Sequence, residues 1–142
     1  MRRFILTFTL LFCSLCATAK VTFLNANGSG TLPFSEAVKV DNTLYLSGQI
    51  GYDNKNNRIV PGGFKAETHQ VLKNIKNVLQ TYDYKMSDVV KCMVMLTDIN
   101  DFAEFNTIYK QYFKAPYPAR SAFAVKELAL NSLVEVECIA AK

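Results

Sequence analysis

Several short stretches of the chain are apolar, or alternate between apolar and polar residues, and turn residues bound them. This pattern predicts β-strands. They lie at residues 21–24, 37–40, 43–47, 89–96, 121–125 and 133–140. Asp41 and Asn42 separate the second stretch from the third and predict a hairpin, and the last two stretches predict a closing hairpin. Residues 89–96 are apolar almost throughout, so we expect both faces of that strand to be covered.

An apolar stripe at helical spacing runs through residues 64–82 and predicts an amphipathic helix. Its members are Val71, Leu72, Ile75, Val78, Leu79 and Tyr82. His69 lies off this stripe, and we expect it to be a solvated residue. Because it is the only histidine of the chain, multi-histidine metal sites are excluded.

A second helix is predicted to begin within residues 98–101, where Asp101 and Glu104 have the spacing of a capping box. Its buried side would consist of Phe102, Phe105, Ile108, Tyr109 and Tyr112, and it must end before Pro116. Hairpin, helix, strand, helix and hairpin then follow one another along the chain. This order predicts an α+β fold in which helices cover one face of a sheet. The strands are apolar enough that the other face also needs a cover, which self-association would supply.

The first nineteen residues have the composition of a secretory signal peptide. A basic start, Met1-Arg2-Arg3, precedes an apolar stretch at residues 4–16 and the cleavage pattern Ala-Thr-Ala at residues 17–19. The apolar stretch is too short to span a bilayer. A lipoprotein signal is disfavoured because neither Cys13 nor Cys16 follows a small residue. We therefore expect residues 1–19 to be removed, and residues 20–142 to form one domain that is periplasmic or secreted.

Removal of this segment changes what charge and cysteines indicate. Loss of Arg2 and Arg3 lowers the formal net charge from +4 to +2. So small a charge gives no reason to expect a nucleic acid or a membrane surface as partner. Cys92 and Cys138 remain, and an exported protein could join them. The chain has enough apolar residues to build a core without a disulfide, so we expect two buried thiols.

Arg120 and Glu135 are the candidate chemical groups. Arg120 follows Pro116 and Pro118, which stiffen the chain before it, so its guanidinium would be held in a fixed direction to bind a carboxylate with two hydrogen bonds. Glu135 lies in a strand of strict alternation. Spacing alone leaves a plainer alternative open, in which both residues are solvated or form a salt bridge with each other.

Four segments together resemble the reactive intermediate deaminase (Rid, or YjgF/UK114) family. They are Leu-Pro-Phe-Ser-Glu-Ala-Val at 32–38, Leu-Ser-Gly-Gln-Ile at 46–50, the stretch from Val-Val-Lys at 89–91 to Asn-Asp-Phe at 100–102, and Pro-Ala-Arg-Ser at 118–121 with Val-Glu-Val-Glu at 134–137. The resemblance implies a chorismate-mutase-like fold with a mixed sheet, assembled as a homotrimer with its sites between subunits. It also implies hydrolysis of enamines and imines, such as 2-aminoacrylate, to 2-keto acids and ammonia without a cofactor or metal.

The resemblance further implies roles for individual residues. Arg120 would bind the carboxylate of an imino or keto acid, and Glu135 would position or activate the attacking water. The backbone of Ser47 and Gly48 would line the pocket, with Asn106 near the cleft. A carboxylate in a drier cleft can have its pKa raised into a range that suits proton transfer.

Two positions depart from the pattern of many deaminating members. Phe34 stands where they have a tyrosine, and Ala122 stands where they have a cysteine. Phe34 keeps a ring at the site but lacks a hydroxyl for substrate or water. A second hypothesis follows, in which the protein is a non-catalytic trimeric binder of small carboxylates or metabolites.

Overall fold

The structure, a computed structural model, describes residues 18–26 and 32–142. The predicted signal peptide lies outside the described residues except for its last two positions. Among the helices of the described ranges, none is long and apolar enough to cross a membrane.

The described chain alternates short strands with two long helices. The strands are β1 (Val21–Leu24), β2 (Ala37–Val40), β3 (Thr43–Leu46), β4 (Gln49–Ile50), β5 (Tyr52–Asp53), β6 (Arg58–Ile59), β7 (Val89–Leu96), β8 (Ala119–Ala124) and β9 (Val134–Ala141). The helices are α1 (Gly63–Thr81) and α2 (Phe102–Tyr112). Most predicted elements are therefore confirmed to within one or two residues of their ends. The predicted hairpin of β2 and β3 is also confirmed, and its turn begins at Asp41 with φ 51°.

The main sheet is mixed, with the strand order β1-β2-β3-β9-β7-β8, and β4 pairs with β9 beside β3. Strand β8 pairs with β7 in parallel, and the other pairs are antiparallel. The expected closing hairpin is wrong, because β9 lies between β3 and β7 instead of beside β8. Helix α2 provides the crossover that a parallel pair requires, which places β8 at the sheet edge.

Both helices cover the same face of the sheet, as expected. Every second residue of β9, from Val134 to Ala140, is buried on this face, and the residues between them are half-buried. Helix α1 packs against β9, β4 and α2. Its apolar stripe is almost entirely buried, as predicted.

Two local expectations for the helices are wrong. Asp98, not Asp101, provides the cap: its side chain accepts a hydrogen bond from the N–H of Asn100 at the start of a 3-10 turn that leads into α2. His69 is half-buried rather than solvated, because its ring contacts Tyr112 on α2. Its Nδ1 lies 3.0 Å from the Tyr112 hydroxyl. For His69, a partner on the other helix thus decides the environment.

Cys92 and Cys138 form a disulfide bond, so the expectation of two buried thiols is wrong. The two residues are direct partners in the antiparallel register of β7 and β9, and both are buried on the helix-covered face. Cross-strand partners on one face bring their side chains into contact. The expectation relied on the size of the apolar core. That size does not determine whether two cysteines face each other across neighbouring strands.

The face of the sheet away from the helices carries exposed apolar side chains and is uncovered within one chain. Phe23 of β1 is 71% exposed, Tyr45 of β3 is 44% exposed, and Phe123 of β8 is 42% exposed. Met93 and Met95 of β7 are half-buried, so within one chain only the helix side of β7 is fully covered. We call this surface the open face.

Candidate active site

Arg120 lies on the helix-covered face of the sheet, near the start of β8. It is the register partner of Cys92, which in turn pairs with Cys138, so all three side chains share one face. Helix α2 packs on that face and brings Asn106 to the guanidinium. The Arg120 Nη2 donates a hydrogen bond to the Asn106 side-chain oxygen at 2.5 Å. The sequence placed Asn106 near the cleft, and the structure makes it the hydrogen-bond partner of Arg120.

Three aromatic rings of α2 surround the same guanidinium. Its central carbon lies 5.5 Å from the ring centroids of Phe102 and Phe105, and 4.8 Å from that of Tyr109. A cation near aromatic faces is stabilised by the ring quadrupoles, and more strongly where water is excluded. Burial raises the pKa of Tyr109 to about 12, with the nearby Arg120 charge acting in the opposite direction. Arg120 is therefore held in place before any ligand binds.

A cavity of about 280 Å³ opens beside this arginine. It is lined by Asn106, Tyr109, Lys110, Tyr117, Pro118 and Arg120. Two of these residues are cationic and none is acidic, so the cavity suits a small anionic group. The buried Tyr109 hydroxyl has no hydrogen-bond partner among the described residues. We call Arg120, Asn106 and this cavity the arginine half-site.

Glu135 projects from the opposite side of the sheet. It belongs to the half-buried set of β9 residues, whereas its neighbours Val134 and Val136 point toward the helices. In the sheet, its register partners are Met95 of β7 and Ile50 of β4. Burial raises the pKa of the Glu135 carboxyl, and the negative charge of Glu137 raises it further. A carboxyl in this state suits proton transfer nearer to neutral pH than a solvated one.

The backbone at Ser47 and Gly48 approaches the Glu135 side chain closely. A Cβ at Gly48 would collide with the Glu135 Oε1 and would lie 2.9 Å from its Cδ. Ser47 is fixed beside the preceding segment, since its hydroxyl donates to the Ser35 carbonyl at 2.6 Å and its N–H donates to the Glu36 carbonyl at 3.1 Å. Phe34, next to Ser35, is 53% exposed. We call Ser47, Gly48 and Glu135, together with Phe34 in the segment that Ser47 is bonded to, the glutamate half-site.

The two half-sites do not meet within one chain. Arg120 faces the helices and Glu135 faces away from them, with the sheet between, so an intrachain salt bridge between them is excluded. Ala122 pairs with Val94 and lies on the arginine side, where it packs against the core. Of the residues expected at the site, Asn106 and Ala122 thus accompany Arg120, and Phe34, Ser47 and Gly48 accompany Glu135.

Several residues at the half-sites escaped the sequence reasoning. The sequence pattern predicts Tyr109 only as part of the buried side of the second helix, and it does not identify Lys110 or Tyr117 as lining residues. Glu67, a charged residue spaced three residues after Phe64 and four before Val71 on an apolar stripe, is buried in α1. This spacing among the apolar residues of the helix is the sequence signal that Glu67 is buried. Among the described residues, no cluster of three or more His, Cys, Asp or Glu side chains could hold a metal ion.

Comparison with known proteins identifies the family. Residues 27–142 match the family model described as Endoribonuclease L-PSP. The chain belongs to this family. Solved structures share this fold: RidA from an Antarctic Psychrobacter superposes with a TM-score of 0.75 at 42% identity, over 78% of this chain and 89% of that one. Yeast Mmf1 superposes with a TM-score of 0.76 at 34% identity, over 87% and 99%. The resemblance to the Rid family and the α+β fold are thereby confirmed.

Curated relatives in the L-PSP family carry an enzyme name. The chain is 47% identical to the human 2-iminobutanoate/2-iminopropanoate deaminase over 108 residues, which are 76% of this chain and 79% of the relative. It is 44% identical over 110 residues to a RutC family protein from Sulfurisphaera tokodaii, covering 78% of this chain and 88% of the relative. Bovine and mouse proteins with the same deaminase name are each 46% identical. These names agree with the expectation of a deaminase-like hydrolase.

Proposed function

We propose that this protein hydrolyses reactive enamines and imines derived from 2-amino acids, releasing 2-keto acids and ammonia. The imine R–C(=NH)–COO⁻ and water give R–C(=O)–COO⁻ and NH₃, and an enamine such as 2-aminoacrylate reacts after tautomerising to its imine. The observation that carries the proposal is the 47% identity, over 108 residues, to a curated deaminase of this class. The family's printed description names an endoribonuclease. The proposal follows the human, bovine and mouse relatives, because all three carry the name of the same specific activity.

The arginine half-site would bind the substrate carboxylate. One Arg120 nitrogen is engaged by Asn106, and the aromatic rings hold the guanidinium plane, which leaves the other donors for a ligand. Guanidinium and carboxylate match each other in geometry, so the ligand would be oriented as well as attracted. Lys110 adds a second positive charge at the rim of the cavity.

The glutamate half-site would supply the base. Glu135 takes a proton from water as the water attacks the imine carbon and passes that proton to the nitrogen, which gives a carbinolamine. The hydroxyl proton of the carbinolamine then moves to the nitrogen as the C=O bond forms and the C–N bond breaks, so the nitrogen leaves as ammonia. The raised pKa of Glu135 supports this role, since an effective base has a pKa closer to the working pH. The backbone of Gly48 lies against this carboxyl, so substrate atoms can approach it without a side chain in the way.

We further propose that the complete site lies between subunits of a homotrimer. Arg120 and Glu135 are on opposite faces of one sheet, so a ligand that contacts both needs the two half-sites to come from different chains. The open face gives a reason for association, because apolar side chains there remain exposed in one chain.

We also propose that residues 1–19 are a cleaved signal peptide and that the mature protein acts outside the cytoplasm. The proposal depends on the basic, apolar and Ala-Thr-Ala segments of the sequence. Intact-mass measurement of the exported protein should find a chain that begins at Lys20. A retained Met1 in that fraction would contradict it.

The deciding experiment measures ammonia release from 2-aminoacrylate or 2-iminobutanoate generated in the assay. Glu135→Gln keeps the shape of the side chain and removes the base, so turnover should fall roughly 10²–10⁴-fold while 2-keto acid binding barely changes. Glu137→Gln, on the same face, is the matched control and should have a milder effect. A trimeric Glu135→Gln variant with full activity would refute the catalytic role.

The same experiment tests the alternative of a non-catalytic binder. The specific observation behind that alternative is Phe34, which presents an exposed ring without a hydroxyl in the glutamate half-site. A binder would take up 2-keto acids with normal dependence on Arg120 but release no ammonia from any imine. Ammonia release would then be measured for Phe34→Tyr, which adds the missing hydroxyl.

A further inference from the structure

Glu67 is a buried carboxyl that the proposed mechanism does not use. It lies in α1 and is only 4% exposed. Its Oε2 accepts a hydrogen bond from the backbone N–H of Leu133 at 2.8 Å. Burial raises the pKa of Glu67, and the Leu133 hydrogen bond acts in the opposite direction. A buried polar group of this kind is costly unless it makes a specific contact, so its backbone partner is the place to look for a role.

Both backbone polar groups of Leu133, the residue immediately before β9, are hydrogen-bonded. Its N–H is bound by Glu67, and its carbonyl accepts from the N–H of Thr97 at 3.1 Å and from the Thr97 hydroxyl at 3.3 Å. Glu135 follows two residues later. The anchor at Leu133 therefore determines where the strand that carries Glu135 starts.

The turn before Leu133 is closed by one backbone hydrogen bond, in which the Ser132 N–H donates to the Ala129 carbonyl at 3.1 Å. Leu130 and Asn131 both have φ 56°, a left-handed conformation that is unfavourable for leucine. Ser132 is buried, and its hydroxyl has no hydrogen-bond partner among the described residues. A turn of this kind keeps its conformation only where its surroundings hold it. The hydrogen bond from Leu133 to Glu67 is such a contact.

The same helix also contacts β4, the strand that pairs with β9 at Glu135. Asn74 donates to the carbonyls of Ile50 at 3.1 Å and Tyr52 at 2.9 Å, and Ile50 is the β4 partner of Glu135. Gly51 lies directly against the Glu67 stem, since a Cβ there would be 2.7 Å from both Glu67 Cβ and Cγ. Helix α1 thus contacts both the start of β9, which carries Glu135, and the neighbouring strand β4.

We propose that Glu67 is a positioning residue for Glu135, acting through the Leu133 backbone and not through contact with substrate. This inference rests on the proposed function of Glu135 as the base. Glu67 lies on the helix-covered side of the sheet, whereas Glu135 projects from the open face, so the two carboxyls cannot share one ligand within a chain. What the role requires of Glu67 is an acceptor oxygen at the right distance from Leu133, and not an acidic group.

Two substitutions separate these requirements. Glu67→Gln keeps the length of the side chain and an acceptor oxygen but is not an acid. Glu67→Asp keeps the acid but is one methylene shorter, which withdraws the acceptor from Leu133. We expect kcat of Glu67→Asp to fall roughly tenfold to 100-fold, because small displacements of a catalytic group have effects of this size. Glu67→Gln should stay within about threefold of wild type.

Binding at the arginine half-site is the internal reference. The affinity for a 2-keto acid should be unchanged in both variants, so the loss appears in kcat and not in binding. Thr68→Val is the matched control: Thr68 is buried in the same helix, and its hydroxyl donates only within that helix, to the Phe64 carbonyl. That variant should lose stability without losing kcat. Two results would overturn the proposal. One is a kcat of Glu67→Gln as low as that of Glu67→Asp, and the other is a kcat of Glu67→Asp equal to that of wild type.

A second measurement does not depend on activity. Carboxyl ¹³C NMR titration of Glu135 should show its raised pKa in wild type, Glu67→Gln and Thr68→Val, and a pKa closer to the ordinary value in Glu67→Asp, where the start of β9 is released. If wild type releases no ammonia, the proposed function fails, and the titration alone then decides the positioning role. An unchanged Glu135 titration in Glu67→Asp would reject that role.

Discussion

At the scale of single residues, Arg120 is the group whose surroundings are most specific. A hydrogen bond to Asn106 and three rings of α2 hold its guanidinium in one orientation. Lysine would keep the charge but has neither the planar fork nor the same stacking. Charge alone therefore should not replace this residue.

Arg120→Lys should weaken 2-keto acid binding roughly tenfold to 150-fold, because a hydrogen bond to a charged group contributes about 1.5–3 kcal/mol. Isothermal titration with a 2-keto acid measures the effect. Arg58→Lys, an exposed position on β6, is the control and should bind as wild type does. Wild-type affinity in Arg120→Lys would mean that the guanidinium has only a structural role.

Substitution by alanine should have opposite effects at Gly48 and at Gly51. In Gly48→Ala the new methyl meets the flexible end of the Glu135 side chain, which can rotate away. In Gly51→Ala it meets the Glu67 Cα at 2.9 Å, so the helix backbone itself must move. Gly48→Ala should therefore keep its thermal stability and lose turnover, whereas Gly51→Ala should lose stability. Thermal melts and ammonia assays on both variants test this, and equal melting points would contradict it.

The charge of Glu137 gives a pH prediction. Burial first, and then the Glu137 charge, raise the Glu135 pKa above its ordinary value of 4.5. If Glu135 is the base, kcat/KM should rise with pH as this carboxyl loses its proton, with a midpoint above 4.5. Glu137→Gln removes the like charge and leaves the burial, so the midpoint should move to lower pH. A pH–rate profile measures it, and a shift to higher pH would contradict the assignment.

At the scale of elements, the disulfide is the covalent link between β7 and β9, two neighbouring interior strands of the sheet. It joins residues 46 positions apart, across a segment that contains α2 and β8. Closing so long a loop removes much of the freedom of the unfolded chain. We therefore expect it to contribute strongly to stability although the core is large.

Cys92→Ala combined with Cys138→Ala should lower the unfolding free energy by up to about 4 kcal/mol, from the loop length. Reducing agent should lower the melting temperature of wild type but not of the double variant, which separates the cross-link from the cavities that the substitutions leave. Peptide mapping of unreduced protein should find the two cysteines in one linked peptide. Free thiols at both positions would contradict the bond.

At the scale of the whole molecule, the open face is the sheet surface that a single chain leaves uncovered. It carries Phe23, Tyr45 and Phe123, each well exposed, on strands from both ends of the sheet. Several large apolar side chains exposed on one sheet face are typical of a binding surface between proteins. The proposed trimer would cover it and would bring half-sites of different chains together.

Light scattering at micromolar concentration should therefore find a trimer. Tyr45→Lys places a charge on the open face and should shift the protein toward monomers, with ammonia release lost in the same proportion. Ile99→Lys, at an exposed apolar residue in the turn before α2, is the control and should remain trimeric. A stable wild-type monomer would contradict both the trimer and the shared site.

The sequence by itself determined the elements and their buried sides. Strands and helices depend on periodicity within a few residues, which is why the ends of β7 and the stripe of α1 were predicted closely. The segment resemblance also selected Arg120 and Glu135, and the family it indicated is confirmed.

Only the tertiary structure decided how these elements meet. Strand order inserted β9 between β3 and β7, which paired Cys92 with Cys138 and separated Arg120 from Glu135 by the thickness of the sheet. Glu67 reached Leu133, 66 positions away, for the same reason. Pairing and register are set by contacts between distant segments, and the local pattern of one strand is compatible with several neighbours.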